Sequence, residues 1–248
     1  MSKKLGQHFL KNKAKIHYFI KPLEIEEGDT IIEIGPGKGV ITKELKNKGV
    51  KLICVEKDEK LGDKLIEKGY EVIKQDILKI LPKISQDIGN YKLVGNIPYY
   101  ITGKLLRTIE ELGNKPFITV LGIQKQVAER LTAEPPKMNI LAASVKFWAD
   151  TKIITNIPKT DFSPPPKVDG AIVSLKTKDE NFDSGIYYKA VKTIFKHPRK
   201  TIANNLDIGL KERKGEIKEI LESAGILPFW RPENLSIKDI KKLSQKLY

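Results

Sequence analysis

EIGPGKG, residues 33–39, decides how this chain folds. An apolar, strand-like run over 30–34 leads into it, and a helical pattern begins at residue 39. Gly35, Gly37 and Gly39 let the backbone come close to a ligand, and a helix starting there offers it free N–H groups. A strand, a glycine turn and a helix in immediate succession open a parallel βαβ unit. The turn is not a phosphate-cradling P-loop, because Lys38 is followed by Gly39 and not by Ser or Thr. Its Gly-x-Gly-x-Gly spacing also misses the Gly-x-Gly-x-x-Gly of dinucleotide folds. Glycine turns of this kind also serve packing, so the neighbouring strand ends have to decide.

Outward from the turn, strand-like runs at 30–34, 51–55, 70–74, 91–94 and 117–121 alternate with helical patterns near 39–48, 58–68, 101–112 and 124–133. This alternation predicts an α/β fold, a Rossmann-like sheet of parallel strands joined by crossover helices. Runs at 153–156 and 171–175 flank the loop TDFSPPPKVDG with no helix between them, which predicts an antiparallel hairpin at the sheet edge. Three prolines stiffen that loop. After about residue 180 the strand signal stops. Amphipathic patterns at 186–197, 200–208, 211–224 and 236–247 predict a small C-terminal all-α domain. The expected division is 1–180 for the sheet domain and 181–248 for the helical one.

In open α/β sheets a ligand binds at the carboxyl ends of the strands. Glu56 ends the second strand some 20 residues after Gly35, where a carboxylate accepts both hydroxyls of a ribose. Asp76 ends the third strand, within reach of an adenine amine. Each acid alone is commonly a solvated strand end or a helix cap; three successive strand ends carrying Gly, Glu and Asp are harder to dismiss. The glycine spacing and the antiparallel final strand favour S-adenosylmethionine over a nicotinamide as the ligand, bound by Gly35, Gly37, Glu56 and Asp76. No metal is expected.

The fourth strand delivers NIPY, residues 96–99, to the same edge. The amine of a nucleobase is a poor nucleophile because its lone pair is delocalised into the ring. An enzyme helps by accepting hydrogen bonds from that amine and fixing it in line with the methyl donor. The Asn96 side-chain oxygen and the Ile97 carbonyl suit that role, Pro98 keeps the corner rigid, and Tyr99 is placed to stack on the base. Phe162, before the three prolines, is either a second ring for the base or a core residue.

The formal net charge of +14 points to a polyanionic partner. A lysine-rich composition suited to heat stability is the competing explanation. Residues 1–21 carry six lysines and no acid, a localised patch and not a uniform bias. Arg130, Lys167, Arg199 and Lys200 are candidate phosphate contacts. The longest apolar runs are strand-sized, so no membrane span is expected. The opening MSKKLGQHFL lacks the apolar core of a secretory signal, and a cytoplasmic, monomeric protein is expected. The single cysteine, Cys54, reads as an inert core residue.

LGQHFL, IEIGPGKGVIT, VEKD, NIPYYIT, QKQVAERL, FSPPPKVDGAIVSL and RKTIANNL succeed one another along the chain. In that order they resemble the motifs of the KsgA-type ribosomal RNA adenine dimethyltransferases, nearly end to end. The resemblance implies S-adenosylmethionine contacts from His8, Leu10, Gly35, Glu56, Asp76 and Asn96. It also implies a substrate: two adjacent adenines near the end of small-subunit ribosomal RNA, each methylated twice, with a role in ribosome assembly. Three positions depart from the pattern. His8 stands for Asn, Gln126 stands where Glu is usual, and His197-Pro198 interrupts an arginine-rich stretch. The related large-subunit methyltransferases of the macrolide-resistance type share the NIPY corner and are the nearest rival. A non-catalytic RNA-binding assembly factor is the rival from another class; intact Glu56 and Asn96 count against it.

Overall fold

A computed structural model describes residues 8–210 and 215–248. The chain forms two compact units. One holds the described residues up to Ala128 together with Asp150–Thr177; the other holds Glu129–Ala149 and the described residues of Lys178–Tyr248.

The first unit is built on a seven-stranded sheet. Its strands are β2 (Thr30–Ile34), β3 (Lys51–Val55), β4 (Val72–Ile73), β5 (Tyr91–Asn96), β6 (Ile118–Gln124), β7 (Ala149–Ile157) and β9 (Gly170–Thr177). A two-residue β1 (Phe9–Leu10) and β8 (Phe162–Ser163) pair separately and antiparallel. The order is β4-β3-β2-β5-β6-β9-β7. The pairs from β4 to β6 are parallel, and β9 runs antiparallel to β6. The expected hairpin strands are therefore neighbours at the edge, with β7 outermost.

The helices on the parallel strands are α2 (Val40–Lys46), α3 (Glu59–Ile66), α4 (Ile77–Asp87) and α5 (Thr102–Glu111), after a short α1 (His17–Ile20). Strands β2 and β5 are nearly free of solvent because helices cover both faces of a parallel sheet. Below the sheet's carboxyl edge, the one buried lysine of β5, Lys92, donates to Asp29 Oδ2 and to the Glu24 carbonyl, each at 2.6 Å. Burial alone would raise the Asp29 carboxyl, but the Glu26 N–H and Lys92 outweigh it and hold it low.

The second unit comprises α7 (Ile140–Trp148), α8 (Ser184–Ile194), α9 (Ile202–Gly209), α10 (Ile217–Ala224) and α11 (Ile237–Leu247); α6 (Lys125–Leu131) runs into it from β6. Phe147 of α7 stacks on Tyr187 of α8 with ring centres 4.1 Å apart, and the Tyr187 hydroxyl donates to the Ala143 carbonyl at 2.9 Å. Side-chain caps fix the helix starts: Asp183 for α8, Thr201 for α9 and Ser236 for α11. The pattern expected at 211–224 is helical from Ile217, and its residues 211–214 lie outside the described part. The residues expected to start a separate domain near 181 are preceded here by Glu129–Ala149, which pack with the same helices.

Candidate active site

The carboxyl ends of β2, β3, β4 and β5 open into one cleft in the first unit. The glycine turn after β2 forms its floor. Gly35, Gly37 and Gly39 all have left-handed φ, at 60°, 58° and 78°, which favours residues without a Cβ. Gly37 is also a close approach: a Cβ there would lie 2.9 Å from the Phe9 ring.

Glu56, at the end of β3, is buried and faces the cleft. Its Oε2 accepts the Gly37 N–H at 3.0 Å and its Oε1 accepts the Asp58 N–H at 2.9 Å. The carboxylate thus locks the glycine turn in place, and each oxygen keeps a lone pair for a hydroxyl donor. Burial raises its pKa, and the two backbone donors offset part of that rise. Asp76 follows β4 and caps α4: its Oδ1 accepts the Leu78 N–H at 3.0 Å, and its Oδ2 takes Lys57 Nζ at 2.9 Å. Burial opposes ionisation of Asp76, but Lys57 and the Leu78 N–H win and hold its pKa down.

Glu33, within β2, is an acid that the sequence reading passed over. It lines the cleft at 1% exposure, and its Oε2 has no hydrogen-bond partner. Burial pushes its pKa up to about 8; the Thr42 hydroxyl and amide pull the other way, while Glu56 adds to the rise. The only sequence signal was a charged residue in an otherwise apolar strand.

Asn96 closes β5 and enters the cleft half-buried. Its amide nitrogen donates to the His8 carbonyl at 3.1 Å, which commits the NH2 group and leaves Oδ1 as an acceptor. Gly122, opposite it on β6, makes this orientation fit: a Cβ there would lie 2.6 Å from Asn96 Oδ1 and 2.9 Å from the Phe19 ring. Ile97 is buried and its N–H donates to the Gly122 carbonyl at 3.3 Å. Pro98, at φ −57°, turns the chain into a single 3-10 turn at Tyr99–Ile101. Tyr99 lies 6.4 Å from the His8 ring, centre to centre. Its hydroxyl is buried without a partner, and burial pushes its pKa up to about 12.

The N-terminal segment straps across this corner. Leu10 pairs with Phe162 and Phe9 with Ser163, Lys11 N–H donates to the Asp161 carbonyl at 2.8 Å, and His8 Nδ1 lies 2.8 Å from the Pro164 carbonyl. Leu10 and Phe162 are both buried core members that also line the cleft, so Phe162 is a core residue, as one of its two expected places had it. His8, Leu10, Gly35, Gly37, Glu56, Asp76, Asn96, Ile97, Tyr99 and Phe162 therefore share one cleft. The residues of the LGQHFL motif before His8 lie outside the described part.

The four candidate RNA contacts are all exposed; Lys167 belongs to the first unit, and Arg130, Arg199 and Lys200 to the second. Gln126 is exposed. His197 sits in a turn whose backbone N–H is held by the side chain of buried Asn205. Cys54 is buried in β3, and burial drives its pKa up, away from thiolate chemistry.

The family model for ribosomal RNA adenine dimethylase matches residues 1–246. This chain belongs to that family. It is an S-adenosylmethionine-dependent methyltransferase by descent. A curated relative, the ribosomal RNA small subunit methyltransferase A of Dehalococcoides mccartyi (strain CBDB1), is 38% identical, over 97% of this chain and 86% of its own length. Among solved structures, a dimethyladenosine transferase from Plasmodium falciparum superposes with a TM-score of 0.80 at 24% identity, covering 95% of this chain and 96% of that one. The 23S rRNA methyltransferase ErmE superposes with a TM-score of 0.76 at 22% identity, over 96% and 99%. At these identities the two structures bear on the dimethylase fold alone. No described helix is long and apolar enough to cross a membrane.

Proposed function

We propose that this dimethylase transfers methyl groups to the exocyclic amines of two adjacent adenines in small-subunit ribosomal RNA during ribosome assembly, acting as a monomer. The observation that carries the reading is the meeting, in one cleft, of the glycine turn, Glu56 and Asp76 with the Asn96–Tyr99 corner. S-adenosylmethionine supplies an electrophilic methyl carbon on a sulfonium centre. Among this chain's groups, Glu56 presents lone pairs to ribose hydroxyls and Asp76 presents its carboxylate edge to an adenine amine. The unpartnered, buried Glu33 Oε2 fits a ligand that brings a cationic or N–H group into the cleft. His8 and Leu10 close the strap over it.

On the other side, Asn96 Oδ1 and the Ile97 carbonyl accept the N–H groups of the target amine and orient its lone pair; Tyr99 and Phe162 flank the base. No strong general base is required, because the amine becomes acidic only after the new N–C bond forms. Arg130, Lys167, Arg199 and Lys200 hold phosphates. The relatives that cover nearly the whole chain are named for the small subunit, which favours that substrate over the large subunit.

The test is transfer of labelled methyl groups to small ribosomal subunits lacking dimethyladenine, with mapping of the modified bases. Transfer to the large subunit alone, or to no RNA, would overturn the reading. Glu56→Ala should weaken S-adenosylmethionine binding by about 2–3 kcal/mol in calorimetry while the fold survives. Unchanged affinity would remove Glu56 from the ligand site.

A further inference from the structure

Leu227–Trp230, in the second unit, displays a large side chain that the fold does not use. Phe229 is 69% exposed and Leu227 46%. The Trp230 N–H donates to the Leu227 carbonyl at 3.0 Å, closing a four-residue turn with Pro228 at its second position. Two backbone bonds fasten this turn to the start of α9: Ile202 N–H to the Trp230 carbonyl at 2.7 Å, and Ala203 N–H to the Pro228 carbonyl at 3.4 Å. The residues entering α9 are the cationic turn His197-Pro198-Arg199-Lys200. Buried Asn205 clamps it, accepting the His197 N–H at 2.8 Å and donating to the His197 and Thr201 carbonyls at 3.0 and 3.1 Å. Exposed Arg199, Lys200, Phe229 and Arg231 thus stand on two turns tied to one helix end. Neither turn has an acid: residues 195–206 and 223–232 contain no Asp or Glu.

We propose that Phe229 is a stacking platform for an unpaired RNA base, and that Arg199, Lys200 and Arg231 hold the phosphates beside it. This rests on RNA being the partner, as set out under Proposed function, and adds a second base contact remote in sequence from the catalytic corner. Three features select this occupant. The two turns carry exposed cations and no acid of their own, which suits a polyanion. A phenyl ring has no hydrogen-bonding group, so it recognises the π-face that every base presents. A ring standing on a tight turn reaches a base only where that base is unstacked, as in single strands and loops. A protein partner fits less well, since a stable interface covers roughly 800 Å² per side and one four-residue turn offers far less. The turn is fixed by proline and by four backbone atoms, so little conformational freedom is lost on binding.

The experiment measures binding of a mixed-sequence single-stranded RNA 12-mer and of its duplex at several salt concentrations. Phe229→Ala should weaken single-strand binding at least about fivefold with an unchanged salt slope, because stacking releases no counterions. Phe229→Tyr should restore it, and the duplex should be indifferent to both changes. Arg199→Ala with Lys200→Ala should do the opposite, flattening the salt slope. Equal affinity of Phe229→Ala and wild type for the single strand would overturn the proposal. So would an equal loss on the duplex, or full rescue by Phe229→Leu, which would mark a plain apolar contact. Calorimetry with S-adenosylmethionine, expected unchanged in all variants, monitors the fold. Wild type that methylates ribosomal subunits beside an indifferent Phe229→Ala defeats only this inference; wild type that binds no RNA defeats both.

Discussion

The two sides of the cleft are made of unlike chemistry. At the ends of β2, β3 and β4 stand three carboxyl groups, Glu33, Glu56 and Asp76, two of them buried and one salt-bridged to Lys57. At the end of β5 stand a neutral amide, a buried isoleucine, a proline and a tyrosine. The acidic side is held rigid by backbone donors: Gly37, Asp58 and Leu78 each give an N–H to a carboxylate. The neutral side is held by the strap, through the Asn96 bond to the His8 carbonyl. The contrast suits a division in which the first side binds hydroxyls and amines tightly and the second merely aims one neutral amine. A buried carboxylate beside the reacting amine would compete for its proton; an amide accepts a hydrogen bond without doing so.

Removing the aim should be the most costly change. On the proposed mechanism Asn96→Ala takes away the acceptor for the reacting amine, and such preorganised contacts are worth about 100- to 1000-fold in turnover. S-adenosylmethionine affinity should fall by less than about tenfold in the same protein. Single-turnover methylation beside calorimetry separates the two. A large loss of affinity with turnover preserved would show that the sides are not distinct in role.

The acidic side has its own signature, and it is thermodynamic. Glu33 has a folded-state pKa of about 8 against an ordinary 4.5, because burial disfavours its anion. Between those values the native chain binds the proton and the unfolded chain does not. Its contribution is therefore full below the ordinary value and is lost as pH rises through about 8, by about 3–4 kcal/mol between about pH 5 and pH 8. Glu33→Gln keeps the shape without the charge and should flatten that part of the profile. Urea midpoints across this range, measured without ligand, check it; parallel profiles for the two proteins would mean that Glu33 is ionised in the fold.

How far the sequence reveals this contrast depends on the residue. The ends of β2, β3 and β5 are legible because buried parallel strands are plain apolar runs, and the residues just after such a run lie at the binding edge. Helix α4 is hidden by Pro82 in its interior, which lacks the N–H a helix needs and reads as a break. Asp76, read as a ligand contact, is also the cap that starts this helix. Helix α7, ILAASVKFW, is apolar on nearly every face, so it shows no helical period. The strap pairs two residues with two others some 150 positions away, and pairing that short and that distant leaves no local pattern. Gly122 passes as one more residue of an apolar strand, although it decides where Asn96 points.

Gly122 offers the mildest and most selective way to sharpen the comparison. It carries ordinary strand geometry, so its substitution tests space and not backbone strain. The new Cβ of Gly122→Ala would meet Asn96 Oδ1 at 2.6 Å and the Phe19 ring at 2.9 Å, both closer than van der Waals contact allows. Phe19 belongs to the fully packed core, so part of the strain appears as lost stability, about 1–2 kcal/mol by the usual cost of overpacking. The amide is the softer neighbour. It should swing away, stretching its bond to the His8 carbonyl and moving Oδ1 off the amine. Turnover should then drop by about tenfold, in keeping with the cost of a misplacement near one ångström. The acidic side does not touch Gly122, so S-adenosylmethionine affinity should stay within about twofold of wild type. Thermal unfolding, calorimetry and single-turnover methylation of this one variant report the three effects separately. Unimpaired turnover despite lost stability would show that the Asn96 oxygen is not what aims the amine.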